Sequence, residues 1–460
     1  MTNKNPEYSL KAISPIDGRY ASQIDNELNE INSEYGLMKK RLFVEIKWFI
    51  HLTTIKAINN KFSLNKSEKK YLLDIEKNFN IKDAIKIKKI EEVTNHDVKS
   101  IEYYLQKKFD EHKTLKHKKE LIHFCATSED INNISYALMH EETKKILLKK
   151  LLELQKIIKL NQKKFANTAM LSRTHGQKAS PTTFGKELKV FTARIDKQIS
   201  RMERRKAYAK INGAVGNYNA HVFVLPNVTW DIETKKFLKT IGLSQNEYTT
   251  QIENHDWLAE SLNDISLVSC ILLDFSKDIW MYIMLDYIKQ KSIKSEVGSS
   301  TMPHKVNPIN FENAEGNLEI TISLAQSISK KLTSSRLQRD LTDSTVLRNL
   351  GVIYSHYYIS LTSLIKGMKK IDINRKKINE ELDNSWEILA EPIQTVMRYY
   401  NIKNSYDILK NATRGRIINK EIIHKIINSC DLDNTVKNKL LNLKPSDYIG
   451  IAEKLTLKKN

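Results

Sequence analysis

The stretch TFGKELKVFTARIDKQISRM, residues 183–202, decides the fold class of this chain. Its large apolar residues lie four, three, four, four and three positions apart: Phe184, Leu188, Phe191, Ile195, Ile199 and Met202. This spacing is typical of an α-helix with one apolar face. The same pattern recurs in stretches that begin at residues 146, 256 and 350. We therefore expect an all-α protein built around a bundle of long helices.

Length and composition agree with a helical protein of several domains. At 460 residues the chain is too long for one ordinary core, so two or three domains are expected. Only 13 glycines and 8 prolines occur, which favours long helices over a turn-rich β architecture. Apolar stripes of this length commonly bury against partner chains too. The pattern therefore favours an oligomeric bundle without giving the number of copies.

The cysteines and the amino-terminal residues predict the cellular compartment of the protein. The three cysteines, Cys125, Cys270 and Cys430, are widely spaced and form no CxxC pair, so neither a disulfide framework nor a zinc site is indicated. The amino-terminal residues lack the apolar core of a signal peptide, and no run of about 18 apolar residues occurs. A cytoplasmic protein in a reducing compartment fits these features best.

The formal net charge of +21 raises the question of nucleic-acid binding. The surplus is lysine spread along the whole chain, as in residues 85–90 (IKIKKI), and it is not gathered into one patch interleaved with aromatic residues. Such dispersed lysines are typical of solvated helix faces, with a weak benefit in steering an anionic substrate. We therefore expect neither a nucleic-acid nor a membrane partner.

Residues 298–308, GSSTMPHKVNP, have the composition of a mobile catalytic loop. A glycine and two serines open the loop, and its two prolines exclude helix and central strand. An ordinary surface loop has a similar composition. This one, however, places hydroxyl, imidazole, ammonium and amide groups close together.

Several other short blocks carry polar residues of the kind that binding sites use. Residues 94–97 (TNHD) and 127–130 (TSED) each stand at the start of a predicted helix, where free backbone N–H groups attract anions. His175 lies in a break between two long helices, within residues 173–177 (RTHGQ). Taken alone, each block is an ordinary helix cap or loop. The Gly/Asn-rich residues 210–220 lack the Gly-Lys-Ser/Thr of a phosphate-binding loop, so we reject that function for them.

A cationic helix start is predicted near residue 343. Asp343 or Ser344 is a good N-cap, and Ser344 and Arg348 lie four apart on one helix face. Together with Arg339 they make a favourable phosphate site. An arginine-rich surface cap is the alternative interpretation.

These blocks together resemble one family. Residues 298–308 resemble the signature loop of the fumarase/aspartase superfamily, whose members eliminate fumarate from succinyl compounds. The HKVNP ending of the loop resembles the adenylosuccinate lyase family, as do SPIDGRY (residues 14–20), TNHD, TSED, RTHGQ and the Arg339 to Arg348 region. At least six blocks occur in the family's order over nearly the whole chain. One departure is Lys178, where the family usually has proline after RTHGQ.

The resemblance implies a fumarase/aspartase-like fold of three helical domains, here 1–115, 116–370 and 371–460. It also implies a homotetramer with a central twenty-helix core and active sites shared between subunits. The implied reactions are cleavage of adenylosuccinate to AMP and fumarate, and the matching cleavage of succinyl-aminoimidazole-carboxamide ribotide (SAICAR to AICAR). No metal and no cofactor is implied.

The resemblance also implies roles for individual residues. Ser299 is the general base, His175 is the general acid that protonates the leaving nitrogen, and Lys305 stabilises the charge that develops on the substrate carboxylate. Glu312 is a candidate to orient a site histidine. The implied substrate-binding residues are Arg19, Tyr20, Asn95, His96, Asp97, Thr127, Ser128, Thr174, Gln251, Ser300, Asn307, Arg339, Ser344, Thr345 and Arg348.

Two kinds of alternative function remain: another lyase of the same superfamily, and a protein that is not an enzyme. A sister lyase acting on argininosuccinate or malate would share the bundle and the loop but not the set of Arg19, Arg339, Ser344 and Arg348. A non-catalytic helical scaffold or a basic nucleic-acid binder belongs to another class. The intact loop argues against the scaffold, and the dispersed lysines argue against the binder.

Overall fold

The computed structural model describes residues 6–291, 302, 305–413 and 418–458. Within these residues the chain is mainly helical, as the sequence predicts. The first half of the helices comprises α1 (Pro6–Lys11), α2 (Asn26–Asn32), α3 (Glu34–Leu52), α4 (Lys56–Phe62), α5 (Lys66–Lys77), α6 (Ile81–Thr94), α7 (Asp97–Asp110), α8 (Ser128–Lys164), α9 (Phe184–Arg204), α10 (Asn219–Val224) and α11 (Trp230–Thr240). The second half comprises α12 (Asp256–Met284), α13 (Ile309–Leu332), α14 (Thr342–Leu347), α15 (Leu350–Lys370), α16 (Arg375–Asp383), α17 (Ala390–Tyr399), α18 (Ser405–Thr413), α19 (Lys420–Ser429), α20 (Asn434–Leu441) and α21 (Ala452–Leu457).

Short strands and 3-10 helices occupy some of the connections. The strands are β1 (Ala169–Thr174), β2 (Gln177–Thr183), β3 (Tyr208–Ala209), β4 (Ser244–Gln245), β5 (Ile288–Gln290) and β6 (Ile371–Ile373). Pairs β1·β2 and β5·β6 are antiparallel, and β3·β4 is parallel. The 3-10 helices are Leu115–Leu121, Trp386–Leu389 and Pro445–Asp447.

The long apolar stripes form the core, as predicted. All six apolar residues of the 183–202 stretch are buried. The apolar stripes of α12 and α15 are buried along their whole length. The stripe that begins at residue 146 is also buried, except for the partly exposed Ile146 and Ile157; it comprises Ile146, Leu147, Leu151, Leu154, Ile157, Ile158 and Phe165. Phe191 of α9 meets Phe275 of α12 edge to face, with ring centroids 5.2 Å apart. The helical period in the sequence thus identified the residues that pack.

A glycine permits close packing between consecutive helices. A Cβ added to Gly185, at the start of α9, would lie 2.6 Å from both the Ala166 Cα and the Gln162 carbonyl oxygen. Real Cβ atoms do not approach so closely, so a larger residue would push α9 away from the end of α8.

Contacts divide the chain into two compact units. Unit 1 comprises Met1–Lys150, Ile199–Cys270 and Gly316–Thr362, and unit 2 comprises Leu151–Gln198, Ile271–Glu315 and Ser363–Asn460. Every boundary between them falls inside a helix, in α8, α9, α12, α13 and α15. The division into three domains at residues 115 and 370 stays a prediction.

Three local predictions differ from the structure. The helical pattern that begins at residue 256 extends to residue 290 in the sequence, but helix α12 ends at Met284 and Ile288–Gln290 form strand β5. The segment around His175 is a β-hairpin and not an irregular loop. Neither Asp343 nor Ser344 is the N-cap of α14, so that prediction is wrong: the helix begins at Thr342, whose N–H donates to Asp340 Oδ1 at 2.8 Å.

Candidate active site

The start of α8 in unit 1 is held by a buried ion pair. Lys210 Nζ lies 2.9 Å from Asp130 Oδ1, and both side chains are fully buried, at 0% exposure. The Asp130 carboxylate also accepts the backbone N–H of Thr127 and two N–H groups of the loop at residues 210–220, at 2.9 to 3.1 Å. A buried charge needs such complete pairing to offset its desolvation. The pair therefore fixes Thr127 and Ser128 at a helix start whose remaining N–H groups favour an anion.

The loop at residues 210–220 supports a second segment of unit 1. Gly216 has φ +83°, and a Cβ there would lie 2.3 Å from the Thr249 carbonyl oxygen, so this approach requires glycine. Nearby, the Ala214 carbonyl accepts a hydrogen bond from Gln251 Nε2 at 2.9 Å. The loop thus sets the position of Gln251, one of the predicted substrate-binding residues.

Gln251 leads directly to a second predicted binding residue, Arg339. Arg339 Nη1 donates to Gln251 Oε1 at 3.0 Å, and its Nη2 lies 3.6 Å from Glu129 Oε2. Glu129 follows Ser128 in the chain and is buried. The structure therefore brings together Gln251, Arg339 and the Thr127–Ser128 helix start.

Behind Arg339 lies a buried group of four titratable residues, Glu129, Glu253, His255 and Asp343, which we term the His255 cluster. His255 Nδ1 lies 3.8 Å from Glu253 Oε2, and His255 Nε2 lies 3.8 Å from Asp343 Oδ2. Glu253 is further held by Trp257 Nε1, which donates to it at 3.0 Å. Glu129 Oε1, His255 Nε2 and Asp343 Oδ2 are buried without a hydrogen bond to any described residue.

Charge and burial compete within the His255 cluster. Burial alone would lower the pKa of His255, but the carboxylates of Asp343, Glu253 and Glu129 raise it above its ordinary value. Burial raises the pKa of Glu129 to about 7, with the nearby Asp343 charge adding to the effect. The surrounding carboxylates thus favour the protonated form of His255, and burial favours the protonated form of Glu129.

The His255 cluster also contains, among the described residues, a group of potential metal-ligating atoms that lie close together. Ligand atoms of Glu129, His255 and Asp343 lie within 4.8 Å of one another. The Arg339 guanidinium already faces Glu129, and a proton on His255 would compete with a metal for the imidazole lone pair. The donor set therefore fits a proton and a guanidinium better than a metal ion, and the metal-free reaction stays a prediction.

Arg348, predicted to bind phosphate, is held by two carboxylates of unit 1. Its Nη1 donates to Glu34 Oε2 and its Nη2 to Asp97 Oδ2, both at 2.9 Å. Asp97 also accepts from Arg41 Nη2 at 2.7 Å. Burial opposes ionisation of Asp97, but Arg41 and Arg348 together lower its pKa below the ordinary value. Arg348 is 40% exposed, so its guanidinium is accessible to an anion.

The segment before Asp97 forms a tight helix-to-helix turn. Asn95 ends α6 in the left-handed conformation, with φ +50°. His96 is the N-cap of α7, where its Nδ1 accepts from Lys99 N at 3.2 Å, and half of its side chain is exposed. The predicted helix start is confirmed, and the substrate contacts of Asn95 and His96 stay predictions.

The remaining predicted residues of unit 1 are accessible. Arg19 is exposed in a run of turns, where Tyr20 N donates to the Pro15 carbonyl at 2.8 Å. Ser344 is half-buried in α14, and Thr345 is exposed. Arg339 and Arg348 share no hydrogen-bond partner among the described residues. Convergence of Arg19, Arg339 and Arg348 on one phosphate stays a prediction.

In unit 2, His175 occupies the tip of the β1–β2 hairpin. Thr174 pairs with Gln177, which leaves His175 and Gly176 as a two-residue turn with φ of +54° and +76°. Two positive φ values are typical of a type I′ turn, whose twist matches the strands. All four residues are exposed. The fold therefore presents the imidazole to solvent.

The hairpin below this tip is tied to the carboxyl-terminal part of unit 2. Arg173 forms an ion pair with Glu381, whose other oxygen accepts from Tyr287 Oη at 2.5 Å. Lys178, which replaces the family's usual proline, donates to Ser385 Oγ at 2.9 Å. The departure from the family pattern thus adds a side-chain contact in β2.

The signature loop is only partly within the described residues. Ser299, Ser300 and His304 lie outside them. Lys305 is exposed, with its N–H donating to the Met302 carbonyl at 3.0 Å, and Asn307 is half-buried. Glu312, in the first turn of α13, accepts from Trp280 Nε1 at 3.1 Å. The proposed histidine partner of Glu312 stays a prediction.

Sequence reasoning missed the residues that hold this site. Asp130, Lys210 and His255 received no role: Asp130 ends the TSED block, His255 lies four residues after Gln251, and Lys210 begins the Gly/Asn-rich segment for which phosphate binding was rejected. The available signal was an acidic residue next to a predicted binding residue, as in Ser128-Glu129 and Asp343-Ser344.

In the part of the chain that the structure describes, every helix is too short or too polar to span a membrane.

Known proteins resemble the chain over almost its whole length. A family model described as "Lyase" matches residues 18–320, and one described as "Adenylosuccinate lyase C-terminal" matches residues 335–449. The adenylosuccinate lyase of Legionella pneumophila subsp. pneumophila (strain Philadelphia 1) is 49% identical over 97% of this chain and 98% of the relative. That of Escherichia coli (strain K12) is 45% identical over 96% and 97%.

Solved structures agree on the fold. A fumarate lyase from Mesorhizobium sp. BNC1 superposes with a TM-score of 0.78 at 16% identity, covering 94% of this chain and 96% of that one. The β-carboxy-cis,cis-muconate cycloisomerase of Acinetobacter calcoaceticus sp. ADP1 gives 0.75 at 15% identity, covering 95% and 98%. At such identities the likeness shows the fold alone. The fold and the matched family models define a lyase of the fumarase/aspartase superfamily, and the chain belongs to its adenylosuccinate lyase family.

Proposed function

We propose that this lyase eliminates fumarate from adenylosuccinate, giving AMP, and from SAICAR, giving AICAR. The observation that carries the proposal is the contact between Gln251 and Arg339 beside the Thr127–Ser128 helix start. These groups offer an amide, a guanidinium and free N–H donors to an anionic substrate. The 49% identity to a full-length adenylosuccinate lyase supports the same reaction.

The elimination needs a base that removes a proton from carbon and an acid that protonates the leaving nitrogen. A proton must leave the carbon beside a carboxylate, and we assign its removal to Ser299, with Ser300 as a substrate-binding neighbour. A serine is a poor base unless its alkoxide is stabilised by nearby cations and N–H groups, and Lys305 is the cation proposed for this role. Asn307 would hydrogen-bond the substrate carboxylate.

We assign protonation of the leaving nitrogen to His175, since an imidazole titrates in the required range. Its exposed position on a type I′ turn leaves both ring nitrogens open to a substrate. Thr174, on the same turn, would contact the substrate. Glu312 is proposed to orient a site histidine.

The phosphate would lie at the arginine end of the site. Arg348 is the best supported ligand, because its guanidinium is 40% exposed and lies beside the amino-terminal end of α7 with its Asp97 partner. Arg19, Tyr20, Ser344 and Thr345 are proposed to complete this end, and Asn95 and His96 to contact the substrate nearby.

We further propose a homotetramer with active sites shared between subunits. Large apolar side chains stay exposed on the long helices of the single chain, among them Leu160 at 60% and Met284 at 62%. Exposed apolar residues on bundle helices support burial against further copies. On sequence grounds we place the enzyme in the cytoplasm.

One assay tests the reaction. Purified protein is incubated with adenylosuccinate, and loss of its absorbance is followed together with fumarate release. Argininosuccinate and malate serve as matched substrates, since a sister lyase would act on one of them. We expect equimolar AMP and fumarate from adenylosuccinate alone. Turnover of either alternative substrate without turnover of adenylosuccinate would reject the proposal.

A further inference from the structure

The proposed reaction assigns no role to the His255 cluster, although its four titratable residues are all buried. Its carboxylates come from three separate segments, residues 127–130, 249–254 and 338–344. His255 and all three carboxylate residues are buried. Burying this many charges is costly unless they hold one another in place.

Each carboxylate is a close neighbour in the chain of a proposed substrate-binding residue. The three pairs of neighbours are Ser128 and Glu129, Gln251 and Glu253, and Asp343 and Ser344. Asp343 Oδ1 also accepts the Ser344 N–H at 2.7 Å. Any movement of a carboxylate therefore moves a proposed substrate ligand.

We propose that His255 is a positioning residue of the substrate site, whose buried imidazole holds the three segments together and so sets the spacing of Gln251, Arg339 and Ser344. The inference rests on the proposed function only in that these three residues are the proposed ligands. His255 itself touches no substrate.

The geometry places the imidazole among three carboxylates. His255 Nδ1 faces Glu253 and His255 Nε2 faces Asp343, each at 3.8 Å, and ligand atoms of Glu129, His255 and Asp343 lie within 4.8 Å of one another. These carboxylates raise the pKa of His255 above its ordinary value, which favours the charged form that pairs with them. Without the imidazole, the three carboxylates would lose a buried partner. A neutral replacement at position 255 should therefore loosen all three segments together.

The first experiment measures hydrogen–deuterium exchange in the full-length protein carrying His255→Gln. Exchange should rise at least about tenfold in residues 127–130, 249–254 and 338–344, because local opening becomes easier. His356→Gln is the matched control: His356 is also buried, but its partner is the amide of Asn317 and not a carboxylate. The control should leave these segments unchanged. Unchanged exchange in His255→Gln would overturn the inference.

The second experiment separates positioning from a general loss of structure. His255→Gln should raise KM for adenylosuccinate about tenfold, the usual cost of one misplaced charged contact, with kcat changed less than about threefold. In an Arg339→Ala background the same substitution should raise KM by a clearly smaller factor than in wild type, because one of the three ligands that His255 positions is already gone. Equal factors in both backgrounds, or a fall in kcat alone, would overturn the positioning role.

A milder variant covers the case in which His255→Gln fails to fold. Glu129→Gln keeps the shape and removes a charge that is already partly protonated, so the fold should persist. It should raise KM about tenfold through loss of the Arg339 ion pair, again with little change in kcat. An unchanged KM would overturn the inference, as would a stoichiometric divalent metal bound to wild type and lost from this variant. Wild-type protein that released no fumarate would instead remove the proposed function, and the exchange result would still stand.

Discussion

The helix start at residues 127–133 and the hairpin tip at residues 174–177 are both assigned to substrate chemistry, yet they are supported in opposite ways. The helix start rests on a fully buried ion pair, Asp130 with Lys210, and on backbone N–H groups that satisfy the carboxylate. The hairpin tip consists of four exposed residues on a two-residue turn. The groups at the helix start in unit 1 are fixed by buried pairing, whereas the groups at the hairpin tip in unit 2 are placed by the geometry of the turn.

This difference indicates which substitutions harm the fold and which harm only the reaction. Replacing a group that satisfies a buried charge leaves that charge unpaired and destabilises the protein. Replacing an exposed side chain at a turn removes its chemistry and leaves the packing unchanged. The two regions should therefore separate activity from stability.

The largest effect is expected at the hairpin tip. His175→Ala should lower kcat about a hundred- to ten-thousandfold, because general acid catalysis contributes that much. The melting temperature should stay within about 1 °C of wild type, because the side chain is exposed. Turnover assays and calorimetry on the same sample measure both. Near-normal turnover would move the acid role to another group.

The same variant tests whether sites are shared. A His175→Ala protein mixed with a Ser299→Ala protein should regain activity after subunit exchange, since some sites would then contain neither substitution. Mass spectrometry of differently labelled subunits confirms the exchange. Exchange without any recovery would count against sites built from several chains.

The next effect concerns stability at the helix start. Lys210→Met should lower the free energy of unfolding by about 3–5 kcal/mol, because Asp130 is left charged and buried. Lys149→Met, at an exposed position in α8, is the control and should change stability by less than about 0.5 kcal/mol. Urea denaturation followed by circular dichroism compares them. Adding Asp130→Asn should recover part of the loss, and equal destabilisation by both single lysine variants would contradict the argument.

The helices were predictable because the spacing of apolar residues within each stripe already shows the helical period. The stripe of residues 183–202 identifies the buried face of α9 without knowledge of its partners. The hairpin was not predicted, since its strands lack a regular alternation of apolar and polar residues and His-Gly is not among the usual type I′ pairs. Local sequence predicts the apolar stripes, and it leaves the connections between helices undetermined.

The buried charges were beyond local reasoning for a different physical reason. Asp343 reads as an N-cap from its neighbours, but its carboxylate faces His255, which comes from a distant segment. Pairings of this kind depend on the assembled fold: an acidic residue beside a binding residue can be read from the sequence, but the partner that it faces cannot. Family resemblance supplied candidates for the ligand residues, and the structure supplied the groups that hold them.

A moderate effect is expected at the phosphate end. Arg348→Ala should weaken binding of AMP by about 1.5–3 kcal/mol, the usual contribution of a hydrogen bond to a charged group. Arg348→Lys should already impair binding, because an ammonium cannot reproduce the bidentate fork. The loss should fall on kcat/KM for adenylosuccinate, whereas succinyladenosine, which lacks the phosphate, should be poor for every variant and nearly indifferent. Equal losses on both substrates would mean that Arg348 supports the fold or the chemistry.

The smallest effect has the opposite sign and concerns Glu34. Its carboxylate accepts a hydrogen bond from Arg348 Nη1 at 2.9 Å. The Glu34 side chain is 41% exposed and the Arg348 side chain is 40% exposed. A half-exposed pair of this kind is worth about 0.2–1 kcal/mol, and an incoming phosphate must displace it. Glu34→Gln should therefore tighten AMP binding by up to about fivefold, less at high salt, where exposed charges are screened.

Titration calorimetry at two salt concentrations measures this gain, with Glu30→Gln as the control, because Glu30 is also an exposed acid and its substitution changes the net charge equally. The control should give less than half the gain. In an Arg348→Ala background, Glu34→Gln should have no effect, because the guanidinium for which Glu34 and the phosphate compete is absent. Tighter binding in that background would show that Glu34 acts through the general field of the protein. Weaker binding in the wild-type background would show that Glu34 orients Arg348 for the phosphate and does not compete with it.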